Sequence, residues 1–378
     1  MRTPRLLAIV AAAAATVPLA ACGGNDEAGT ASGASGKITV DASDTECKVA
    51  AAESDAGTVT FAITNKGNKV TEFYVYAAGD RVMGEVENIA PSLSRELIVE
   101  LAAGTYETAC KPGMIGKGIR NAFTVSGSAP ALTEDAKLAQ ATKDYQRYVK
   151  SQTGALIEQT TAFVNAVKAG DIEKAKGLFP IARTYWERIE PVAESFGDLD
   201  PKIDAREADL APGEKWTGFH KLEKDLWVSK DVSKSGPTAD QLLVDVQTIV
   251  DKSETVTLSP VQLANGSKGL LDEVASGKIT GEEDTFSHTD LWDFAANVEG
   301  SQAAIAALRP AIEEKDAALA KTLDERFASV EAALEKHRQG DGWALHNTLS
   351  EADLKVLSDE INALSEPISK VAALVAGK

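Results

Sequence analysis

Two textures of apolar and polar positions divide the chain. From Lys37 to about Ser126, short alternating runs are broken by turns. Ile38 to Val40, Thr58 to Thr64, Glu72 to Ala77, Arg95 to Leu101, Tyr106 to Cys110 and Ala122 to Val125 read as strands. Asn65-Lys66-Gly67, Ala78-Gly79-Asp80, Ala102-Ala103-Gly104 and Pro112-Gly113 read as the turns between them. The pattern predicts an all-β sandwich of about 90 residues, 37–126. After a linker at 127–132, the period changes to that of long Ala/Leu/Glu/Lys-rich helices. Breaks near Gly170, Gly197 to Pro212, Ser233 to Pro237, Gly277 to Glu283 and Gly340 to Gly342 leave six or so helices. Ser287-His288-Thr289-Asp290 reads as a capping box ahead of Leu291. Residues 133–378 therefore form an all-α bundle large enough for its own core. The fold class is multidomain, sandwich first and helices second.

The first 36 residues add a location. Arg2 and Arg5 precede an apolar run, Leu6 to Val17, too short to span a bilayer. It ends in Leu19-Ala20-Ala21-Cys22, which resembles a bacterial lipobox. The expectation is a lipoprotein signal with its lipobox at 1–22, cleaved before Cys22 so that Cys22 is lipidated, and a Gly/Ala/Ser/Asp-rich tether at 23–36 with a reach of roughly 20 Å. That places the protein outside the cytoplasm, anchored to the cell membrane. Cys47 and Cys110 then lie in an oxidising compartment, where a disulfide is commoner than a metal pair. A formal charge of −18 argues against nucleic acid as a partner and suits the handling of cations.

Candidate chemistry concentrates in the helices. In Thr217 to Trp227, T-G-F-H-K-L-E-K-D-L-W, residues Phe219, Leu222, Leu226 and Trp227 mark a buried arc. At about 100° per residue, Glu223 falls inside that arc and His220 at its edge. A buried carboxylate is costly unless paired or bound to metal, and a neighbouring imidazole supplies a second ligand. The alternative is a core Glu satisfied by Arg or Lys. Glu187 and Glu190 share one helix face, off an apolar stripe of Leu178, Ile181, Tyr185, Ile189, Val192 and Phe196, so periodicity puts them on a polar side. Pro191 is expected to kink that helix beyond Glu190. Gly197 to Glu207, which contains Asp204, reads as a long polar loop. Around Asp290 to Gly300, Leu291, Ala295 and Val298 set a buried arc with Glu299 near it and Asp293 opposite. His288, His337 and His346 read as surface or packing residues. There is no H-E-x-x-H, P-loop, G-x-S-x-G or dinucleotide fingerprint.

In the sandwich, Asn65-x-Gly67 with Glu72-Phe73, then Tyr106-Glu107-Thr108-Ala109-Cys110-Lys111-Pro112-Gly113-Met114, resembles the cupredoxin fold. No His precedes His220, so a blue-copper site is excluded. Two options remain there: a metal site of Cys47, Glu72, Cys110 and Met114, or a Cys47–Cys110 disulfide beside an exposed Glu and a packed Met.

The segment G-F-H-K-L-E-K-D-L-W is similar to the H-x-x-E signature of the imelysin-like family. Glu187 to Asp200, E-R-I-E-P-V-A-E-S-F-G-D-L-D, and Ser287 to Phe294, S-H-T-D-L-W-D-F, resemble its extracytoplasmic iron-uptake branch, the EfeO type. The resemblance covers essentially the whole mature chain. It implies a cupredoxin-like domain followed by a helical metal-binding domain, and a metal site at His220, Glu223, Glu187, Glu190 and Asp204. Glu299 is added from helix phase alone. It further implies ferrous or ferric iron as cargo, a membrane iron permease, and a haem-dependent peroxidase-like partner. Carboxylates with one imidazole suit iron or manganese and tolerate zinc, and zinc or copper are the alternatives to iron. The expected protein is a non-enzymatic iron carrier. The alternatives are a zinc metallopeptidase, a metal-free structural lipoprotein and a cupredoxin-type electron carrier.

Overall fold

Alternation along the N-terminal strands sorts their side chains into two faces, and the two sheets close over the apolar one. The computed structural model describes residues 37–128, 135–210 and 213–377. The segments read as leader and tether, with Cys22, and most of the one read as a linker at 127–132 lie outside the described residues. The strands are β1 Ile38–Ala42, β2 Cys47–Val49, β3 Glu53–Asp55, β4 Gly57–Asn65, β5 Thr71–Ala77, β6 Arg81–Ile89, β7 Ser94–Leu101, β8 Gly104–Cys110 and β9 Ile119–Ser126. One sheet runs β2-β1-β4-β7 and the other β3-β9-β8-β5-β6. Within them β1–β4 and β3–β9 are parallel and the remaining pairs antiparallel. Val59, Phe61 and Ile63 of β4 point inward, and the Phe61 ring packs 5.2 Å from Phe73 and 5.4 Å from Phe123.

The alternation read from sequence recovered six of these strands and missed β2, β3 and β6. Strand β6 matters most. Its Tyr74↔Glu85 pairing with β5 sets Glu85, and Glu87 two residues on, on the outer face of the sheet. Glu72, Tyr74 and Tyr76 of β5 share that face. Cys47 and Cys110 form a disulfide with Cα atoms 5.5 Å apart, tying β2 to β8.

The helices are α1 Ala136–Lys168, α2 Ile172–Glu187, α3 Asp200–Asp204, α4 Phe219–Lys224, α5 Gly236–Ser253, α6 Pro260–Ser276, α7 Asp290–Lys315, α8 Ala317–Glu335, α9 Glu351–Ile368 and α10 Val371–Val375. A 3-10 segment, Glu190–Phe196, follows α2, and a π-helical turn, Asp225–Ser229, continues α4. Seven of the described helices have sixteen or more residues. Two starts fall inside segments that carry no sequence break: Asp316, whose side chain accepts from the Leu319 amide, and Ser259, whose hydroxyl accepts from the Gln262 amide while Gln262 Oε1 accepts from the Ser259 amide, with Pro260 in the first turn. The box expected at Ser287 does not form. The N-cap of α7 is Thr289, with no side-chain cap bond, and the Ser287 hydroxyl instead meets Thr289 Oγ1 at 2.9 Å. No described helix is long and apolar enough to cross a membrane.

The described residues form one compact unit. The sandwich rests on the helices through β6 and β7: Ile98 packs against the helical core, and Asn265 Nδ2 of α6 donates to the Ile98 carbonyl at 2.6 Å.

Candidate metal centre

Helix α2 carries the centre of the site. Its buried face is Ala175, Phe179, Ala182, Arg183, Trp186 and Glu187, not the Leu178/Ile181/Tyr185 stripe expected from periodicity. Ile181 is exposed and Glu187 fully buried. The polar-face placement of Glu187 is thereby corrected. The true face is apolar except where Arg183 and Glu187 pair, four residues apart and 2.5 Å between Nη2 and Oε1. Helix α2 ends at Glu187, and the chain re-enters a 3-10 turn at Glu190, with Pro191 in its first turn.

Arg183 is a fully buried guanidinium ringed by acids. Besides Glu187 it donates to Asp204, to Glu283 at 3.0 Å and to Asp293 at 3.3 Å, and Asp284 lies 3.5 Å away. Lys278, also fully buried, pairs with Glu187 at 3.0 Å and Glu190 at 2.9 Å. Asn297 of α7 donates to Glu187 Oε2 at 2.9 Å and Glu190 Oε2 at 2.7 Å. Burial opposes both cationic charges. Asp204, Asp293 and Glu187 outweigh it for Arg183, and Glu187 and Glu190 for Lys278, so both stay protonated.

Helix α3 and helix α4 bring in His220. The segment read as a polar loop contains α3, which ends at Asp204. Gly218 precedes α4 at φ 88°, and a Cβ there would stand 2.2 Å from the Ile203 carbonyl oxygen. Only glycine permits both the backbone and that approach, which sets His220 beside Asp204. His220 is 1% exposed. Its Nε2 lies 3.4 Å from Asp204 Oδ1 and 3.4 Å from Glu283 Oε1, and makes no hydrogen bond. One atom of each of these three residues lies within 4.8 Å of the others. Ligands about 2.0–2.2 Å from one ion stand about 3.0–3.5 Å apart, so this trio fits a metal.

Glu223 stands behind the imidazole. Its Oε2 takes His220 Nδ1 at 3.0 Å, and its Oε1 accepts the amides of Phe286 at 2.9 Å and Ser287 at 2.7 Å. A carboxylate so engaged fixes the ring with Nε2 forward, as outer-shell acids do in metal sites. A second grouping, His220 with Glu223 and Asp284, is also compact. It would use Nδ1, which Glu223 already holds.

The protonation pattern separates the acids. Burial raises Asp204, but Arg183 and His220 together lower it more, leaving it at about 2. Burial likewise opposes the charge of Glu283, but Lys278, His220 and Arg183 hold it well below the usual carboxylate range. These two are ionised ligands-in-waiting. Asp284 and Asp293 are pushed well above that range by burial, which Arg183 only partly offsets. Burial and Arg183 oppose the imidazolium, yet Asp204, Glu223 and Glu283 outweigh them, so without metal His220 keeps its proton. A metal entering here displaces that proton from Nε2.

Of the residues expected from sequence, His220, Glu223, Glu187, Glu190 and Asp204 are drawn into one network. Glu299 is not: it is exposed and pairs with Arg188 at 2.7 Å. Asp293, expected opposite the buried arc, is fully buried against Arg183. Glu283, Asp284, Arg183, Lys278 and Asn297 went unread. The acidic run Glu282-Glu283-Asp284, just ahead of S-H-T-D, was the available signal. In the sandwich, the disulfide consumes both thiols, which removes Cys47 and Cys110 as ligands. Met114 is 40% exposed on a turn, and Glu72 is buried against Tyr74 Oη at 3.1 Å and Lys111 at 3.7 Å. His346, buried, packs with Nε2 3.0 Å from the Ile279 carbonyl.

Comparison with known proteins follows the same division. A cupredoxin-like domain family matches residues 6–120, and the imelysin family matches residues 141–371. The iron uptake system component EfeO of Escherichia coli O157:H7 is 39% identical over 346 residues, covering 89% of this chain and 90% of its own. Those of E. coli K12 and Shigella flexneri match to the same extent. A solved structure from Parabacteroides distasonis overlaps 66% of this chain and 97% of its own at 13% identity and a TM-score of 0.47, too slight a likeness to carry an argument. With its cupredoxin-like sandwich, its imelysin-type helical domain and this degree of identity along nearly its full length, the chain belongs to the EfeO family.

Proposed function

We propose that this protein is the extracytoplasmic iron-binding component of an iron-uptake system. Iron is captured in the helical domain and passed to a membrane permease, with a haem-dependent peroxidase-like protein acting in the same system. A lipid on Cys22 holds it at the cell membrane. The relatives' name as iron uptake system components supports the role. The observation that carries it is the buried His220 Nε2, which makes no hydrogen bond and stands 3.4 Å from the ionised carboxylates of both Asp204 and Glu283.

Charge supports the same reading. Around that atom, among the described residues, eight acids, Glu187, Glu190, Asp204, Glu223, Glu283, Asp284, Asp290 and Asp293, meet three permanent cations, Arg183, Lys278 and, at the rim against Glu283, Arg206. Mutual repulsion in a buried group is relieved by protons or by a metal ion. Oxygen donors with one imidazole suit Fe2+, Mn2+ and Zn2+. His220 and Glu283 are nearly inaccessible, at 1% and 5% exposure, which favours a bare ion over a peptide bond as what they receive. That weighs against the zinc-peptidase alternative.

The test is anaerobic Fe2+ titration of the mature protein, with elemental analysis. One tightly bound iron per chain is expected, lost in His220→Ala combined with Glu283→Gln. Equal iron binding by wild type and this variant would overturn the site. Peptide cleavage with added zinc would revive the peptidase alternative. Membrane fractionation of Cys22→Ser, expected to release the protein, tests the anchor.

A further inference from the structure

Three loops meet at one end of the sandwich. Residues 66–70 join β4 to β5, residues 90–93 join β6 to β7, and residues 111–118 join β8 to β9. They carry Val70, Leu93, Met114 and Ile115, four of the nine large apolar side chains that stand exposed among the described residues. Ile115 is 73% exposed, and Met114 with Ile115 is the one adjacent pair in that set. Lys66, Lys69 and Lys117 flank them, exposed and without an ion-pair partner among the described residues. We propose that this end of the sandwich is a membrane-contact surface. Its apolar tips enter the headgroup region of an anionic bilayer while its lysines meet the lipid phosphates. The inference builds on the anchoring reading above, which puts a bilayer within reach of the tether; its test leaves the lipid out, so the two fail separately.

Three observations carry it. First, the loops are built as one rigid surface. The buried Asn65 side chain donates to the Lys69 and Ile89 carbonyls, each at 2.7 Å, and the Asn65 amide donates to the Leu93 carbonyl at 2.9 Å. The Gly113 amide donates to the Val70 carbonyl at 2.7 Å, and the Cys47–Cys110 disulfide pins the start of the third loop. Ser92 and Met114, beside Leu93 and Ile115, adopt φ of 67° and 60°, which a side chain makes costly. Clustered apolar tips held out on such a frame, unlike scattered ones, mark a surface with an occupant. Second, composition selects a bilayer over a protein. The three loops contain no aromatic residue and no arginine, the types that anchor protein interfaces, and lysine is depleted from those interfaces. Aliphatic tips beside lysines suit a bilayer, because the lysine stems lie along the acyl boundary while the ammonium groups reach the phosphates. Third, the charge is a local exception. The chain carries −18 overall, yet these loops hold lysines and no acid. In the adjoining turn, 43–46, Asp44 spends its oxygens on the Asn68 and Lys69 amides at 3.0 and 3.2 Å and on the Asn68 side chain at 3.3 Å, while Glu46 is exposed. A lipid tether limits distance from the membrane but not orientation, and a basic, apolar end on an acidic body supplies the orientation.

The experiment sediments the mature chain carrying Cys22→Ser, and so no lipid, with vesicles of phosphatidylcholine alone or of equal parts phosphatidylcholine and phosphatidylglycerol. On that background it compares the parent, Met114→Ser with Ile115→Ser, and Lys66→Gln with Lys117→Gln. A control, Val244→Ser with Val356→Ser, removes exposed apolar side chains from α5 and α9. Melting temperatures show that each protein is folded. The parent should bind the mixed vesicles, bind them less as salt rises, and bind phosphatidylcholine alone at least about tenfold more weakly. The lysine variant should bind mixed vesicles at least about tenfold more weakly, since each lysine near an anionic surface contributes roughly fivefold. The apolar variant should also lose at least about tenfold, from the methylenes no longer buried. The control should bind like the parent. A parent that stays in solution with the mixed vesicles overturns the proposal, as does a folded loop variant that binds as tightly as the control. Self-association of the parent in place of vesicle binding, abolished by Met114→Ser with Ile115→Ser, would give this end to a second copy of the chain and overturn it too. None of these results bears on the Cys22 lipid, which membrane fractionation tests by itself.

Discussion

Replacing Glu223 with Gln should weaken metal binding about 10- to 100-fold without unfolding the domain. The glutamate has two jobs on two oxygens. Oε1 accepts the amides of Phe286 and Ser287, and Oε2 accepts His220 Nδ1–H. A glutamine has one acceptor. Turning its NH2 toward the two amides would leave both donors buried and unpaired, at about 1–3 kcal/mol each. The carbonyl therefore stays with them, and the NH2 faces Nδ1. That nitrogen must then supply a lone pair, which moves the proton of the neutral ring to Nε2. Nε2 is the atom aimed at Asp204 and Glu283, and with a proton there it cannot ligate. The loss corresponds to about 1.4–2.7 kcal/mol. Zn2+ titration followed through Trp186 measures it. Nitrogen-15 spectra read the tautomer, and the chain has only four histidines to assign. A variant that binds Zn2+ within twofold of wild type, or whose neutral His220 still carries its proton on Nδ1, would refute the argument.

Further outcomes follow from the same geometry. Glu299→Gln should leave iron affinity within about twofold, because its carboxylate is spent on Arg188 at the surface; Glu283→Gln should lower it at least about tenfold, and one titration compares the two. Removing the Cys47–Cys110 bond should cost about 4 kcal/mol, since its ends are 63 residues apart, as read by chemical denaturation of Cys47→Ala with Cys110→Ala. Gly266→Ala puts a Cβ 1.7 Å from the Pro191 carbonyl oxygen, so α6 must retreat from the 3-10 segment and the melting temperature should fall by several degrees. In chelator, stability should decline as pH rises from about 5 to about 8. Burial, and then Glu273, lift Glu87 to about 8 in the fold from its ordinary 4.5, so the folded state binds the extra proton and loses that advantage as pH passes the folded value. A melting temperature that rises across that window would contradict it.

Much of this molecule was legible because it obeys simple periods. Strand β4 alternates cleanly, and α4 places His220 and Glu223 on one buried face, as the spacing in Phe219 to Trp227 demands. Legibility failed where the buried surface is itself polar. On α2, Arg183 and Glu187 occupy the inner face, so counting apolar residues selected the Leu178/Ile181/Tyr185 side instead. Helix α7 is buried around most of its first turns, with Asp290, Asp293 and Asn297 inside, and helix phase therefore could not tell depth: it chose Glu299 and rejected Asp293. Strand β6 was missed because its outer residues, Glu85 and Glu87, face another domain rather than water or the sandwich core. The two kinds of failure share a cause. A buried ion-pair network satisfies its charges by partners distant in sequence, and local pattern has no access to them.

Those partners also bear on how tightly the centre binds its cargo. Arg183 donates to Asp204 and Glu283, the same residues that offer oxygens to the His220 group. Each carboxylate oxygen has two lone pairs, so it can accept Arg183 and still ligate a metal, but the fixed guanidinium repels the incoming cation. Lys278 does the same more remotely through Glu187 and Glu190. A permanent resident metal would be better served by acids without such competitors. A cargo ion must also leave. On the carrier reading, Arg183 keeps the site folded when empty and loosens its grip when full. Arg183→Gln should therefore destabilise the metal-free domain, since it strands several buried carboxylates, while raising the metal-dependent gain in melting temperature above that of wild type. Calorimetry with and without Zn2+ measures both changes. A variant whose gain is equal to or smaller than wild type's would show that Arg183 supports binding instead of opposing it, and the release argument would fall.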